Sequence, residues 1–342
     1  SVDGIVLVCR WLRTPRSLVA HCLAGLAPVK DRIKGVILNQ VTGTRHREKA
    51  VRAIEHYCGI PVVGAIPRTA EMELAMRHLG LVPYREGQGH GEFLARIEAV
   101  KRMIGEHVDL DGLLALARDS APPAGEGSVY AAAGEADVRI GVALDEAFNF
   151  YYADLFDVLA SLGARVVPFS PVHDRLPEAD GYILGGGYPE LFGAELEANT
   201  AVREGLREVS RNGTPVYAEC GGLIYLTERM VLAPGFAGSK GEEAYDLAGI
   251  FAGETRMPGR RMLGYVVGTS AGESPMGAAT FRGHEFHYSS VRLPAGTRYA
   301  YRLTRGSGIR DGLDGAVRDR TIGSYTHLHP VTSKGMLAHF VA

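Results

Sequence analysis

The chain has 342 residues, of which 46% are hydrophobic and 22% are charged, and this composition is typical of an ordinary globular protein of about two domains. The formal net charge of −2 argues against nucleic acid or an anionic membrane as a partner, because either would require a basic excess. No apolar run is long enough to cross a bilayer, and the four cysteines are scattered without metal-ligand or disulfide spacing. We therefore predict a protein of the reducing cytoplasm.

Buried strands alternate with helices in the first part of the chain. Apolar runs and helical patterns predict, in order, a strand over 5–8, a helix over 17–26, a strand over 35–38, a helix over 48–57 and a strand over 61–66. This alternation is typical of a doubly wound parallel α/β sheet, in which ligands bind at the carboxyl ends of the strands. Asn39 and the pair Pro67-Arg68 occupy such ends, although ordinary turn chemistry is the simpler explanation for them.

A phosphate-binding loop is missing from this first domain. Nucleotide-binding domains of this kind carry Gly-Lys followed by Ser or Thr after the first strand. None of the six lysines is followed by either residue, and the sequence opens with Ser1 almost directly on a strand. We therefore predict that the chain is a fragment whose preceding part carries the phosphate loop.

A change in composition marks the boundary between the two domains. Amphipathic segments over 91–104 and 111–117 are followed by a stretch rich in Ala, Pro, Gly and Ser that has no periodicity. We predict a first domain over 1–119, a linker over 120–136 and a second domain over 137–342.

The second domain again alternates strands with helices. The patterns predict strands over 138–144, 164–169, 182–184 and 216–218, and helices over 153–162 and 199–212. The aromatic residues of 148–152 either line a binding site or pack against the helix that follows them. Three glycines, Gly185 to Gly187, follow the third strand and either form a tight turn or bring backbone N–H groups close to a ligand or an oxyanion.

The strand that ends at Ala218 runs into Glu-Cys-Gly-Gly-Leu, a pattern typical of a nucleophile elbow with Cys in place of Ser. Ala218 and Gly222, two residues on either side of Cys220, are small, as this sharp turn requires. A helix that begins directly after the turn favours the thiolate at its N-terminus. The alternative is a buried structural cysteine at the end of a strand.

Two late motifs supply histidines that could act as a base for this cysteine. His284 and His287 lie in Gly-His-Glu-Phe-His-Tyr-Ser, and His327 and His329 lie in Gly-Ser-Tyr-Thr-His-Leu-His. A cysteine nucleophile needs a nearby group to take its proton and return it to a leaving group, and this group is usually His. Any single histidine is more often structural, and sequence spacing alone does not rank the four.

The order of a Gly-Gly-Gly loop, a cysteine elbow and a late histidine resembles the class I glutamine amidotransferases, which have a flavodoxin-like α/β domain. Four motifs more narrowly resemble the family of cobyrinic or hydrogenobyrinic acid a,c-diamide synthases, namely Gly-Gly-Gly-Tyr-Pro-Glu, Ala-Glu-Cys-Gly-Gly-Leu-Ile-Tyr-Leu and the two histidine motifs. Gly-Val-Ile-Leu-Asn-Gln-Val in the first domain agrees. The resemblance spans essentially the whole chain and implies that residues 1–119 are part of a P-loop-type, ATP-dependent synthetase domain.

The resemblance also implies roles for individual residues. Cys220 would be the nucleophile and His327 the base, while Gly187 and Gly221 would supply the N–H groups of an oxyanion hole. Many class I enzymes place a Glu two residues after the histidine to orient it, but His329 occupies that position here. A Cys–His dyad and a Cys–His–His arrangement both remain open. In the first domain, the resemblance implies that Asn39 recognises a nucleobase.

The implied reaction is that of a carbon–nitrogen ligase in cobalamin biosynthesis. It uses ATP, Mg²⁺ and glutamine to amidate the a- and c-acetates of cobyrinic or hydrogenobyrinic acid, which are corrinoid carboxylates. The resemblance implies that the ATP and Mg²⁺ ligands lie before residue 1 and that this chain carries no metal ligands. By itself, the chain would at most hydrolyse glutamine. A homodimer is compatible with the sequence. Two alternatives are a nickel-sirohydrochlorin a,c-diamide synthase and a non-catalytic binding module derived from the family; cobyric acid synthase agrees less well in the details of the motifs.

Overall fold

The computed structural model describes residues 5–10, 32–70, 76–77, 80–81, 91–118, 130 and 137–342, with only the backbone described over 5–10, 76–77 and 80–81. The chain divides into two compact units, 1–126 and 127–342. The predicted helix over 17–26 and all but Tyr130 of the predicted linker lie outside the described residues.

The first unit contains a small parallel sheet. The elements described in this unit are β1 (Ile5–Arg10), β2 (Ile33–Val41), α1 (Thr44–Cys58), β3 (Val62–Pro67), β4 (Met76–Arg77), β5 (Gly80–Leu81), α2 (Gly91–His107) and α3 (Leu110–Arg118). β2 pairs in parallel with β1 on one side and with β3 on the other. The three strands predicted from apolar runs are therefore confirmed, and α1 begins four residues earlier than predicted. It ends at Cys58 because Gly59 adopts the left-handed conformation, with φ of 65°.

The second unit has an α/β half followed by a mostly antiparallel half. The elements of its first half are β6 (Val138–Ala143), β7 (Phe148–Phe150), α4 (Asp154–Ser161), β8 (Ala164–Phe169), β9 (Gly181–Leu184), β10 (Gly186–Gly187), α5 (Gly193–Ala198), α6 (Thr200–Arg211), β11 (Val216–Glu219) and α7 (Gly221–Leu226). The second half contains β12 (Thr227–Leu232), β13 (Glu243–Asp246), β14 (Phe251–Met257), β15 (Met262–Ser270), β16 (Ala279–His287), β17 (Ser290–Arg292), β18 (Arg298–Arg305), β19 (Leu313–Arg318), β20 (Thr321–Ser324), β21 (His327–Leu328) and α8 (Lys334–Val341).

A ten-stranded sheet organises this unit, in the order β21-β16-β15-β18-β19-β20-β11-β9-β6-β8. The five strands from β20 to β8 are parallel, as the flavodoxin-like prediction requires. The remaining pairings are antiparallel and extend the sheet at the side of β20. The sequence patterns did not resolve this extension, and it brings β21 beside β16.

The parallel strands carry apolar side chains on both faces because helices cover them. All four residues of β9 are buried. On α6, Val202, Leu206 and Ser210 recur every four residues and form the buried face. The Asn199 side chain caps this helix by accepting from Val202 N–H at 3.4 Å, so the predicted helix over 199–212 starts at Thr200. No helix in the described part of the chain is long and apolar enough to cross a membrane.

Candidate active site

Cys220 lies at a strained turn between β11 and α7. Its φ of 47° and ψ of −97° lie outside the regions that L-residues ordinarily occupy, as expected at a nucleophile elbow. The turn lies close to the glycine loop that follows β9, because the Gly222 N–H donates to the Gly185 carbonyl at 2.9 Å. A Cβ atom at Gly222 would lie 2.2 Å from the carbonyl oxygen of Leu184, so only glycine fits there. Cys220 is 5% exposed, and its thiol lies 3.8 Å from the Phe286 carbonyl oxygen, to which it donates.

The glycine loop after β9 lies directly against this turn. The backbone nitrogen of Gly187 is 2.9 Å from the point that a Gly221 Cβ would occupy. Gly187 itself has no room for a side chain, because its Cβ would lie 1.9 Å from the Ala147 carbonyl oxygen. The Gly221 N–H belongs to the first residue of α7 and therefore has no acceptor within the helix. The structure thus brings together the two residues that were predicted to form an oxyanion hole.

His327 reaches the elbow from the antiparallel part of the sheet. Its strand β21 pairs with β16, where His327 lies opposite His284, and the two rings stack with centroids 4.9 Å apart. His327 as a whole residue is 7% exposed, and its Nδ1 lies 3.1 Å from Oε2 of Glu219. A base candidate from the end of the chain therefore lies beside a carboxylate that directly precedes Cys220 in sequence.

The electrostatics of the site favour a protonated His327. Burial by itself lowers the pKa of this ring, but hydrogen bonds and charge attraction from Cys220 and Glu219 outweigh that effect and raise the pKa to about 10. An imidazolium beside a cysteine sulfur stabilises the thiolate, which is the nucleophilic form. The pair Cys220 and His327 therefore has the polarity needed for attack on a carbonyl carbon.

Comparison with known proteins agrees with this geometry. Residues 139–334, more than half of the chain, match the CobB/CobQ-like glutamine amidotransferase domain. The chain belongs to this family. Residues 4–75 match an AAA domain, which lies in the first unit.

Three relatives similar to this amidotransferase chain share one name, cobyrinate a,c-diamide synthase. The protein from Methanosarcina barkeri is 43% identical over 90% of this chain, and the one from Methanosarcina acetivorans is 44% identical over 90%. The chain spans only 66% and 65% of the lengths of these two relatives. The protein from Magnetococcus marinus is 41% identical, and the match covers 96% of this chain and 73% of the relative.

Two other histidines of the amidotransferase domain are electrically neutral near pH 7. Burial, and then the charge of His327, lower the pKa of His284. Burial also lowers the pKa of His287 to about 4. The Nδ1 of His287 lies 3.1 Å from the Ser289 carbonyl oxygen and must carry the proton, while the ring stacks on Tyr325 at 3.6 Å. His287 therefore fills a buried structural position behind the site.

His329 lies on the outer side of the amidotransferase site. Its Nε2 is 3.9 Å from Oδ2 of Asp154, and its ring packs on Tyr152 with centroids 4.5 Å apart. The position next to Nδ1 of His327, where an orienting group would act, is occupied by Glu219. In the described part of the chain, the predicted residues that come together are thus Cys220, His327 and the two glycines.

The aromatic residues after β6 differ in burial and in the groups that they contact. Phe148 is fully buried, and the Tyr151 hydroxyl accepts from the Gly185 N–H at 2.7 Å, so these residues support the glycine loop. Phe150 and Tyr152 are 37% and 40% exposed. Tyr152 also lies edge-on to His284, so it forms part of the rim of the site.

Glu219 is the site residue that sequence reasoning missed. The motif Ala-Glu-Cys-Gly-Gly contains it, but no role follows from its position alone. A signal was nevertheless present, because Tyr217 and Glu219 are two residues apart on a strand and must share a face. A polar pair at the end of an otherwise apolar strand indicates a hydrogen-bond partner for these side chains at that end.

Asn39 lies in the first unit, near the carboxyl end of the central strand. It stands opposite Arg10 of β1 in the parallel sheet, and Val41 pairs with Pro67 at the end of β3. Arg68 N–H donates to the Val41 carbonyl at 3.0 Å. The ends of β2 and β3 therefore meet at one edge, and a nucleobase role for Asn39 remains a prediction.

Proposed function

We propose that this chain hydrolyses the side-chain amide of glutamine at Cys220 and His327 and that the ammonia serves to amidate a corrinoid. The observation that carries the proposal is the buried His327, whose pKa Cys220 and Glu219 raise, together with a cysteine on a strained elbow beside the amides of Gly187 and Gly221. This is the arrangement that acyl transfer through a thioester requires. The family match over 139–334 supports it.

The chemistry follows from the positions of these groups. The thiolate of Cys220 attacks the side-chain carbonyl carbon of glutamine, and the oxygen gains negative charge next to the N–H groups of Gly187 and Gly221. His327 gives its proton to the departing nitrogen, so ammonia leaves and a thioester remains. Water then adds to the thioester while His327 accepts its proton. Collapse of the second tetrahedral intermediate returns the thiolate and releases glutamate.

We propose further that the ammonia replaces an activated oxygen on the a- and c-acetates of cobyrinic acid or its metal-free form, hydrogenobyrinic acid. The shared name of the relatives favours cobyrinate over nickel-sirohydrochlorin as the acceptor. The AAA match over 4–75 suggests that ATP provides the activation. We expect the reaction to take place in the cytoplasm, where glutamine and ATP are available.

The residues that the structure describes do not form a complete site for ATP with Mg²⁺. In the described ranges, no group of three or more His, Cys, Asp or Glu residues is placed to hold a metal ion. The whole sequence also lacks a lysine followed by Ser or Thr, which a phosphate loop requires. We therefore derive no step through these groups, and the use of Mg²⁺ remains a proposal.

The glutaminase half is tested by glutamate release from glutamine. We expect Cys220→Ala to abolish it, whereas a variant that keeps the wild-type rate would overturn the proposal.

The amidation half is tested with the polypeptide as its gene encodes it, supplied with ATP, Mg²⁺ and cobyrinic acid. Ammonium salts should support diamide formation by the Cys220→Ala variant, while glutamine should not. A non-catalytic binding module would release no glutamate in either form.

A further inference from the structure

The carboxylate of Glu219 has three neighbours that all belong to the active site or support it. Its Oε2 lies 3.1 Å from Nδ1 of His327, and its Oε1 accepts the Leu328 N–H at 3.0 Å. The Tyr217 hydroxyl, on the same face of β11, donates to Oε1 as well. The Glu219 side chain is 14% exposed, so water competes little for these contacts.

We infer that Glu219 is the positioning carboxylate of the proposed glutamine hydrolysis and acts on Cys220 through His327. The inference rests on the proposed function and replaces the open choice between a dyad and a Cys–His–His arrangement. The orienting group then comes from the residue directly before the nucleophile rather than from two residues after the base. Glu219 touches neither glutamine nor the reacting sulfur in this role.

The geometry explains how this carboxylate fixes the ring. A carboxylate can only accept, so Nδ1 of His327 carries a proton toward Oε2. In the neutral ring Nε2 is then left with its lone pair, which is the tautomer that can take a proton from a thiol. One oxygen holds the ring and the other holds the backbone of the next residue, Leu328. The carboxylate cannot rotate without losing both contacts, so the orientation of His327 is linked to the position of the elbow.

The charges around His327 point to the same role. Among the described residues, Cys220 and Glu219 act electrostatically on this ring, and the ring in turn acts on His284 and His287. Burial lowers the pKa of both neighbouring histidines, so they are neutral near pH 7 and cannot compensate an imidazolium. Glu219 is the carboxylate that raises the pKa of His327, by its hydrogen bond and its charge.

The decisive variant is Glu219→Gln, which keeps the shape and one acceptor oxygen but removes the charge. We expect kcat for glutamine hydrolysis to fall roughly 100-fold, at the lower end of what acid–base catalysis contributes. We also expect the alkaline limb of the kcat/KM profile to move to lower pH, because the imidazolium loses its partner. Titration of the His327 ring by ¹⁵N NMR, which needs no turnover, should move in the same direction.

The chain offers a matched control in Glu243→Gln. Glu243 accepts from the Tyr245 hydroxyl at 2.6 Å, so it repeats the Tyr–Glu pair two residues apart on one strand, but on β13. This variant should keep the wild-type kcat and pH profile. Glu219→Asp keeps the charge but shortens the reach, so it should lower kcat while leaving the His327 titration closer to wild type. It also provides a test if the Gln variant does not fold.

Two results would overturn the inference. One is a Glu219→Gln enzyme with wild-type kcat/KM and an unmoved His327 titration. The other is the same loss and the same pH shift from His329→Ala, which would assign the orienting role to that residue. The Cys220→Ala assay distinguishes a failure of the role inferred for Glu219 from a failure of the proposed glutamine hydrolysis. An inactive Cys220→Ala enzyme with a normal Glu219→Gln enzyme rejects only the role of Glu219, whereas an active Cys220→Ala enzyme rejects the glutaminase itself.

Discussion

Gly186 lies directly against the His327 ring: a Cβ atom at Gly186 would lie 2.8 Å from Cε1 of that ring. The adjacent ring atom Nδ1 is held by its contact with Glu219. It therefore has little freedom to retreat. The lack of side chains in the glycine loop after β9 thus leaves room for the His327 ring.

We expect Gly186→Ala to lower glutaminase activity with little loss of stability. The added methyl group must tilt the His327 ring, and a displacement of about 1 Å at a reacting group can cost roughly 100-fold in rate. Steady-state kinetics and thermal unfolding together test this expectation. Gly335→Ala is the control, since a Cβ atom there would meet nothing within 4 Å. Wild-type kcat in the Gly186→Ala enzyme would mean that the ring is free to move.

The strained backbone at Cys220 predicts an unusual order of stabilities. At ordinary positions Gly is less stable than Ala by about 0.4–1 kcal/mol, because it loses more freedom on folding. With φ at 47° and ψ at −97°, alanine keeps the strain and glycine relieves it, and such strain costs about 1–3 kcal/mol. We therefore expect Cys220→Gly to be at least as stable as Cys220→Ala in urea unfolding, with both inactive. The ordinary order of the two variants would contradict a strained elbow.

The raised pKa of His327 predicts a pH dependence of stability. Because its pKa in the folded state is about 10 against 6.5 for a free ring, the folded protein binds this proton more tightly than the unfolded chain does. The resulting stabilisation is complete below pH 6.5 and is lost as the pH rises to about 10. Urea unfolding of wild type and His327→Gln across this range should therefore show a difference in free energy that shrinks with rising pH. A constant difference would exclude a protonated, ion-paired His327 in the folded protein.

Local patterns in the sequence were sufficient for much of this fold. The parallel strands β6, β8, β9 and β11 each follow from a short, mainly apolar run, because helices cover much of both faces of such a sheet. The elbow follows from small residues at fixed distances from Cys220, which is again a local requirement. By contrast, β15 and β16 of the antiparallel extension have mixed exposure and no strict alternation, and β21 joins β16 from far along the chain, where Gly283 pairs with Leu328.

The sequence by itself pointed to Cys220 as the proposed nucleophile, to the glycines beside it and to the set of histidines from which a base could come. Only the tertiary structure showed which of those histidines contacts Glu219 beside the elbow. The physical reason is that the orientation of an imidazole depends on what faces its second nitrogen, and here that contact joins residues 108 positions apart in the chain. The parallel pairing of β11 with β20, which sets Ser324 beside Glu219, brings the two together, so no local pattern could encode the contact.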